Sequence, residues 1–157
     1  MELTTKAGMC KKVIHKYKYW RKFEVIILES DIVLTAWIGS IAFLAVAILY
    51  VLLALGLPYG DLAMGGKYKI MPKQMRVACL ISVLIQLVAV MFILHVGNVI
   101  SISLIAPIAK GVCYFFAFYL FLNTVMNAFS KSKKERFIMT PLSFITAVCF
   151  LITAWNG

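Results

Sequence analysis

Four long apolar runs, at about 32–57, 77–97, 108–129 and 137–155, fill most of this 157-residue chain and decide what it can fold into. Each reaches the roughly 20 residues that a helix needs to cross the hydrocarbon core. Backbone in lipid must satisfy its own hydrogen bonds, so helices are the expected spanning form. Barrel strands would alternate over segments of about 10 residues, and these runs do not alternate. A water-soluble helical core would need polar stripes at helical period, whereas Ile41–Leu55 is apolar all round. Composition agrees: 63% of residues are hydrophobic and 14% charged, against about 45–50% apolar in soluble domains. The expected fold is therefore an all-α membrane protein, a four-transmembrane-helix bundle over 32–157 preceded by a basic tail over 1–31.

The first run is too long for a cleaved signal. Ala54-Leu55-Gly56 loosely resembles a small-x-small cleavage site, but signal cores span only about 7–15 residues, so an uncleaved span is expected. The four cysteines, Cys10, Cys79, Cys113 and Cys149, form no Cys-x-x-Cys pair. A thiol oxidoreductase or a zinc ribbon then lacks its chemistry, and cysteines inside spans behave as small hydrophobes.

The tail interleaves Lys6, Lys11, Lys12, Lys16, Lys18, Arg21 and Lys22 with Tyr17, Tyr19, Trp20 and Phe23. On a helix, Val13, Tyr17 and Trp20 share a face, which reads as an interfacial segment on anionic lipid or as a solvated tail that biases insertion. Nucleic-acid binding is not expected of a basic tract placed beside a span. Orientation should follow the distribution of Lys and Arg, but the count is eight on each side. That tie also fits dual topology and antiparallel dimers.

Two spans separate the richest polar loops, Pro58–Arg76 and Ser130–Arg136, so both lie on one membrane face. Pro58 ends the first helix, the glycines of the first loop permit positive φ or close approach, and Pro72 suits the start of the next helix. Gly65-Gly66-Lys67 hints at a phosphate loop, but Tyr68 stands where the hydroxyl is needed and no strand precedes it, so nucleotide hydrolysis is rejected. Gly56-Leu57-Pro58-Tyr59-Gly60, Gly65-Gly66-Lys67-Tyr68, Pro72 and Arg76, followed by Met126–Arg136 and Thr140-Pro141, resemble the two hallmarks of a widespread family of small bacterial four-helix membrane proteins of uncharacterised activity. The likeness covers about 40–157. It implies that the two loops belong together, in a bacterial cytoplasmic membrane, with the loops facing the cytoplasm; it brings no activity.

Joined, the loops would gather Lys67, Lys69, Arg76, Lys133, Lys134 and Arg136 against Asp61 and Glu135. Such a patch suits anionic headgroups or phosphate. Alternatively, Asp61 and Glu135 pair with Arg76 or Arg136 and merely lock the loops. The ligand or lipid candidates are accordingly Asp61, Lys67, Lys69, Arg76, Asn127, Lys133, Glu135 and Arg136.

Inside the spans, Asn123 and Asn127 are four apart on one helix face, as are Ser82 and Gln86 on another. Ser143 and Thr146 add hydroxyls. Polar glue between helices is the plainer reading; a substrate path is the sharper one. Lys110 and His95 are read as interfacial. With no carboxylate placed inside a span, proton-coupled multidrug antiport is disfavoured. No cofactor, metal or catalytic residue is assigned. The expected function is a non-enzymatic interaction or envelope-associated protein, with a second copy of itself among the expected partners, whose loops meet anionic lipid or a partner. A small oligomeric transporter or channel comes second, and an enzyme on lipid headgroups third.

Overall fold

The structure, a computed structural model, describes residues 29–157. The tail's aromatic stripe, its basic residues and Cys10 lie outside the described residues. Four helices are long and apolar enough to cross a membrane: α1 (Glu29–Ala54), α2 (Lys73–Val96), α3 (Ala106–Ala128) and α4 (Glu135–Asn156). Among the described residues there is no strand, and the chain is an all-α four-helix bundle of multi-pass membrane type.

The helix ends differ from the apolar runs for local reasons. α1 stops at Ala54, short of Leu57, because the chain turns there. Leu57 N–H reaches Leu52 O at 3.1 Å and Gly56 N–H reaches Leu53 O at 3.0 Å, with Gly56 at φ +87°. This paired 6→1 and 5→2 bonding is a left-handed glycine cap, which few residues but glycine adopt without strain. α2 begins four residues before its apolar run, directly after Pro72, whose extended ψ of 154° starts the helix. α3 starts at Ala106 with Pro107 in its first turn, where a missing N–H costs nothing.

α4 opens with a wide π turn, Glu135–Met139, before continuing as α-helix from Thr140. Pro141 explains the widening: without an N–H it cannot bond the carbonyl four residues back, which is Phe137. The wide turn buries both its ends, Glu135 and Met139.

Each helix turns one seam inward. On α2, Cys79, Gln86 and Ile93 recur every seven residues and are all buried, the spacing that keeps a seam facing its neighbours. On α3 the seam is Ala109, Cys113, Phe116, Leu120, Thr124 and Asn127. Small residues such as Ala109, Ala117, Ala147 and Ala154 let the helices approach closely, as membrane packing requires. The outward faces are apolar too: Leu84, Phe115 and Phe118 are each 64% exposed, the pattern of a surface solvated by lipid rather than water.

Two apolar clusters result. One, around Phe43, Ile93, Phe116 and Phe150, fills the body of the bundle. The other joins Leu49, Leu53 and Cys79 to Ala63, Met71 and Met139, drawing the first motif loop onto the helix ends.

Candidate functional site

The two motif loops meet. Glu135, buried at the mouth of α4, accepts a hydrogen bond from Gly65 N–H at 2.8 Å and another from Ser130 O–H at 2.5 Å, both on Oε2. Ser132 O–H donates to the Asp61 carbonyl at 2.5 Å. Lys134 Nζ lies 3.2 Å from Asp61 Oδ2. Gly66 permits the contact, since a Cβ there would sit 2.7 Å from the Ser132 Cβ, on backbone already at φ +68°. The first loop is braced within itself by two short 3₁₀ turns, Gly60–Leu62 and Met64–Gly66, and by Gly60 N–H bonding Lys69 O at 3.1 Å.

Ser132 and Glu135 hold the third loop through a modified helix cap. Ser-x-x-Glu at a helix start is a capping box, in which the serine oxygen takes the N–H three residues on and the glutamate reaches back. Ser132 Oγ does accept the Glu135 N–H, at 3.4 Å. The return arm runs through Ser130, which accepts Ser132 N–H at 3.1 Å and donates to Glu135. That detour leaves the carboxylate free to take Gly65 N–H as well, so one cap ties together segments 70 residues apart.

The expected partners of the acids are therefore corrected. Glu135 pairs with neither Arg76 nor Arg136, and Asp61 pairs with Lys134. Arg76 instead donates Nε–H to Met71 O at 2.9 Å, and its guanidinium lies over Gly56, within 2.8 Å of where a Cβ would stand. It fixes the first loop to its own helix rather than to the third loop. Arg136 stacks on Phe137, 5.4 Å from the ring centroid, and Lys67 on Tyr68 at 5.5 Å. Lys67, Lys69, Lys73, Lys131, Lys133 and Arg136 are exposed, whereas Asp61 is half-buried and Glu135 only 6% exposed. The acids close the joint; the cations face out.

Below the joint lie two small cavities. One, of about 40 Å³, is lined by Tyr50, Asn123, Asn127, Glu135, Ser143 and Thr146 among others. The other, of about 80 Å³, carries Ser82, Gln86 and Tyr119 and shares Tyr50 and Asn123 with the first. Asn123 and Asn127 do share a face, but Ser82 and Gln86 are not their hydrogen-bond partners. Ser82 O–H returns to Ala78 O at 2.9 Å. Asn127 Nδ2 donates to Ser143 Oγ at 3.5 Å, and Thr124 O–H to the same oxygen at 3.0 Å. Gln86 Oε1 is buried and accepts no hydrogen bond, a condition that costs about 1–3 kcal/mol. Glu135, the first residue of α4, is buried and lines the first cavity from the helix end, as Glu29 and Asp31 stand at the edge of α1.

Ser130, Ser132 and Tyr50 are the working residues that sequence reasoning did not single out. The Ser-x-x-Glu spacing was the available signal for Ser132; Ser130, five residues before Glu135, and Tyr50, inside an apolar run, had none. Cys79, Cys113 and Cys149 are buried and unbridged. At the opposite end, His95 Nδ1 accepts the Ile102 N–H at 3.2 Å, and Lys110 is exposed near the start of α3. Comparison with known proteins finds no match: no family model, curated protein or solved structure is significantly similar to the chain.

Proposed function

We propose that the chain is a small, non-enzymatic protein of a bacterial cytoplasmic membrane whose joined motif loops form a basic platform for anionic headgroups. One observation carries this reading. Both acids of the two loops are spent on the joint, while Lys67, Lys69, Lys73, Lys131, Lys133 and Arg136 stay exposed around it. Each such cation near an anionic membrane surface contributes about 1 kcal/mol. A platform held rigid gathers those contributions without first ordering two loops. Tyr68 and Phe137, which carry the flanking cations, suit the aromatic belt at the interface.

The test is native mass spectrometry of the protein extracted from membranes of mixed phosphatidylglycerol and phosphatidylcholine. The anionic lipid should be retained preferentially, and Lys67→Gln, Lys69→Gln, Lys131→Gln and Lys133→Gln together should abolish the preference. Equal retention of both lipids by the unaltered protein sinks the reading. Orientation, proposed with the platform in the cytoplasm, is tested by labelling Lys131→Cys from each side of the membrane.

A small transporter or channel is favoured by a separate observation, the cavities that follow Gln86, Asn123 and Asn127. An enzyme acting on headgroups gains nothing comparable, because Glu135 and Asp61 are engaged in the joint rather than aimed at one open point.

A further inference from the structure

Glu135 raises a charge problem that the joint does not solve. Its side chain is 6% exposed, yet both its hydrogen bonds fall on Oε2, from an amide and a hydroxyl. Among the described residues no basic group forms an ion pair with it; Lys134 is held by Asp61 at 3.2 Å and Arg76 by the Met71 carbonyl at 2.9 Å. Buried charges are ordinarily paired or bound to a cation.

The polar groups that line the two cavities are amides, hydroxyls, phenols and this one carboxylate, with no Lys, Arg or His; the rest of the lining is apolar, with Phe43, Val46 and Leu120 common to both. Gln86, deeper in the bundle, lines the second cavity, is itself 6% exposed, and its Oε1 has no partner. An acceptor without a donor and a carboxylate without a counter-charge are complementary to the same thing, a small cation. Their sharing of Tyr50 and Asn123 makes the two cavities one neighbourhood.

From this we infer that the polar interior beneath the motif loops is a binding site for a monovalent inorganic cation, balanced by Glu135 and coordinated by neutral oxygens that include Gln86 Oε1. Size decides against organic cations: volumes of about 40 and 80 Å³ fall far below the roughly 300 Å³ at which ligand pockets begin. Charge decides against divalent ions, which gather several carboxylates; here one lines the space, and no group of three His, Cys, Asp or Glu converges among the described residues. Anions find no positive lining.

Phe43 and Phe116 line the cavity that holds Gln86, and with Phe150 they stack edge-on or tilted at 5.7–6.4 Å between centroids. Ile85 and Tyr119, both exposed on the outside of the bundle, border the same cavity at its side.

The experiment measures the unfolding temperature of the full chain in detergent against sodium, potassium and N-methylglucamine chlorides at constant ionic strength. Sodium or potassium should raise it saturably, and N-methylglucamine, too large to enter, should not. Glu135→Gln keeps an acceptor for the joint but removes the charge, and should erase the alkali-ion effect. Should that variant fail to fold, Gln86→Leu, which takes no part in the joint, carries the test with an expected loss of about tenfold in apparent affinity. Equal shifts in all three salts, or an alkali-ion shift unchanged in Gln86→Leu and in any folded Glu135→Gln, overturn the inference.

Discussion

The two ends of the bundle are closed by different means. At the motif-loop end, directional bonds from Glu135, Ser130 and Ser132 join segments far apart in sequence. At the other end, closure rests on smallness: a Cβ on Gly97 would run into the Ala36 Cβ, and Thr35 and Thr153 hydroxyls meet at 3.2 Å. Between them the three Phe rings seal the core. Lipid offers helices no hydrophobic drive to associate, and at this end close packing is joined by the Thr35–Thr153 bond and by His95 Nδ1 accepting the Ile102 N–H, beside a cavity of about 300 Å³ lined by His95, Asn98 and Lys110 among others. The polar end spends buried charge and an unpartnered amide instead. Expense of that kind in a membrane protein marks a candidate working region.

Breaking each end separately sharpens the contrast. Glu135→Ala strands a half-buried amide and a half-buried hydroxyl that now bond to a carboxylate; with such bonds contributing about 1.5–3 kcal/mol each, the loss is about 3 kcal/mol. It should appear as a lower unfolding temperature together with rapid proteolysis of the first loop. Phe150→Ala, fully buried in the other half, costs about 3–5 kcal/mol in a water-soluble core. The transfer part of that is small in lipid, which puts the loss nearer about 2 kcal/mol, with the motif loops still resistant to protease. Gly66→Ala sets a methyl against Ser132 on a positive-φ backbone and should cost about 1–3 kcal/mol, read in the same melting assay and confined to the loop joint. Smallest is Lys134→Ala, which breaks a pair whose members are 66% and 34% exposed; about 0.2–1 kcal/mol is expected, diminishing further in high salt.

The spans and the shared face of the loops were legible because apolar length and the parity of crossings need no side-chain detail. The joint was only half legible. Glu135 sits among Lys131, Lys133, Lys134 and Arg136, where it reads as one more surface charge in a basic loop. Its burial depends on the π turn set up by Pro141, which shifts the helix start and rotates that side chain inward. Arg76 was a natural partner for an acid until Gly56, lacking a Cβ, let the guanidinium lie against α1's cap and bond Met71 O. Gln86 and Asn127 showed themselves as inward polar groups by spacing alone, but a cavity between helices has no signature in one sequence. It arises from the sum of side-chain volumes on all four.

The central claim is that the two loops act as one rigid unit because Glu135 holds both. Hydrogen exchange over residues 60–71, followed by mass spectrometry in the unaltered protein and in Glu135→Ala, tests it directly. The first loop, including the Gly65 amide, should be strongly protected in the former and lose at least tenfold of that protection when the third loop's glutamate is removed, while α1 and the Phe150 region keep theirs. Unchanged exchange over 60–71 would show that the loops are held independently, and the account of a single platform would fail.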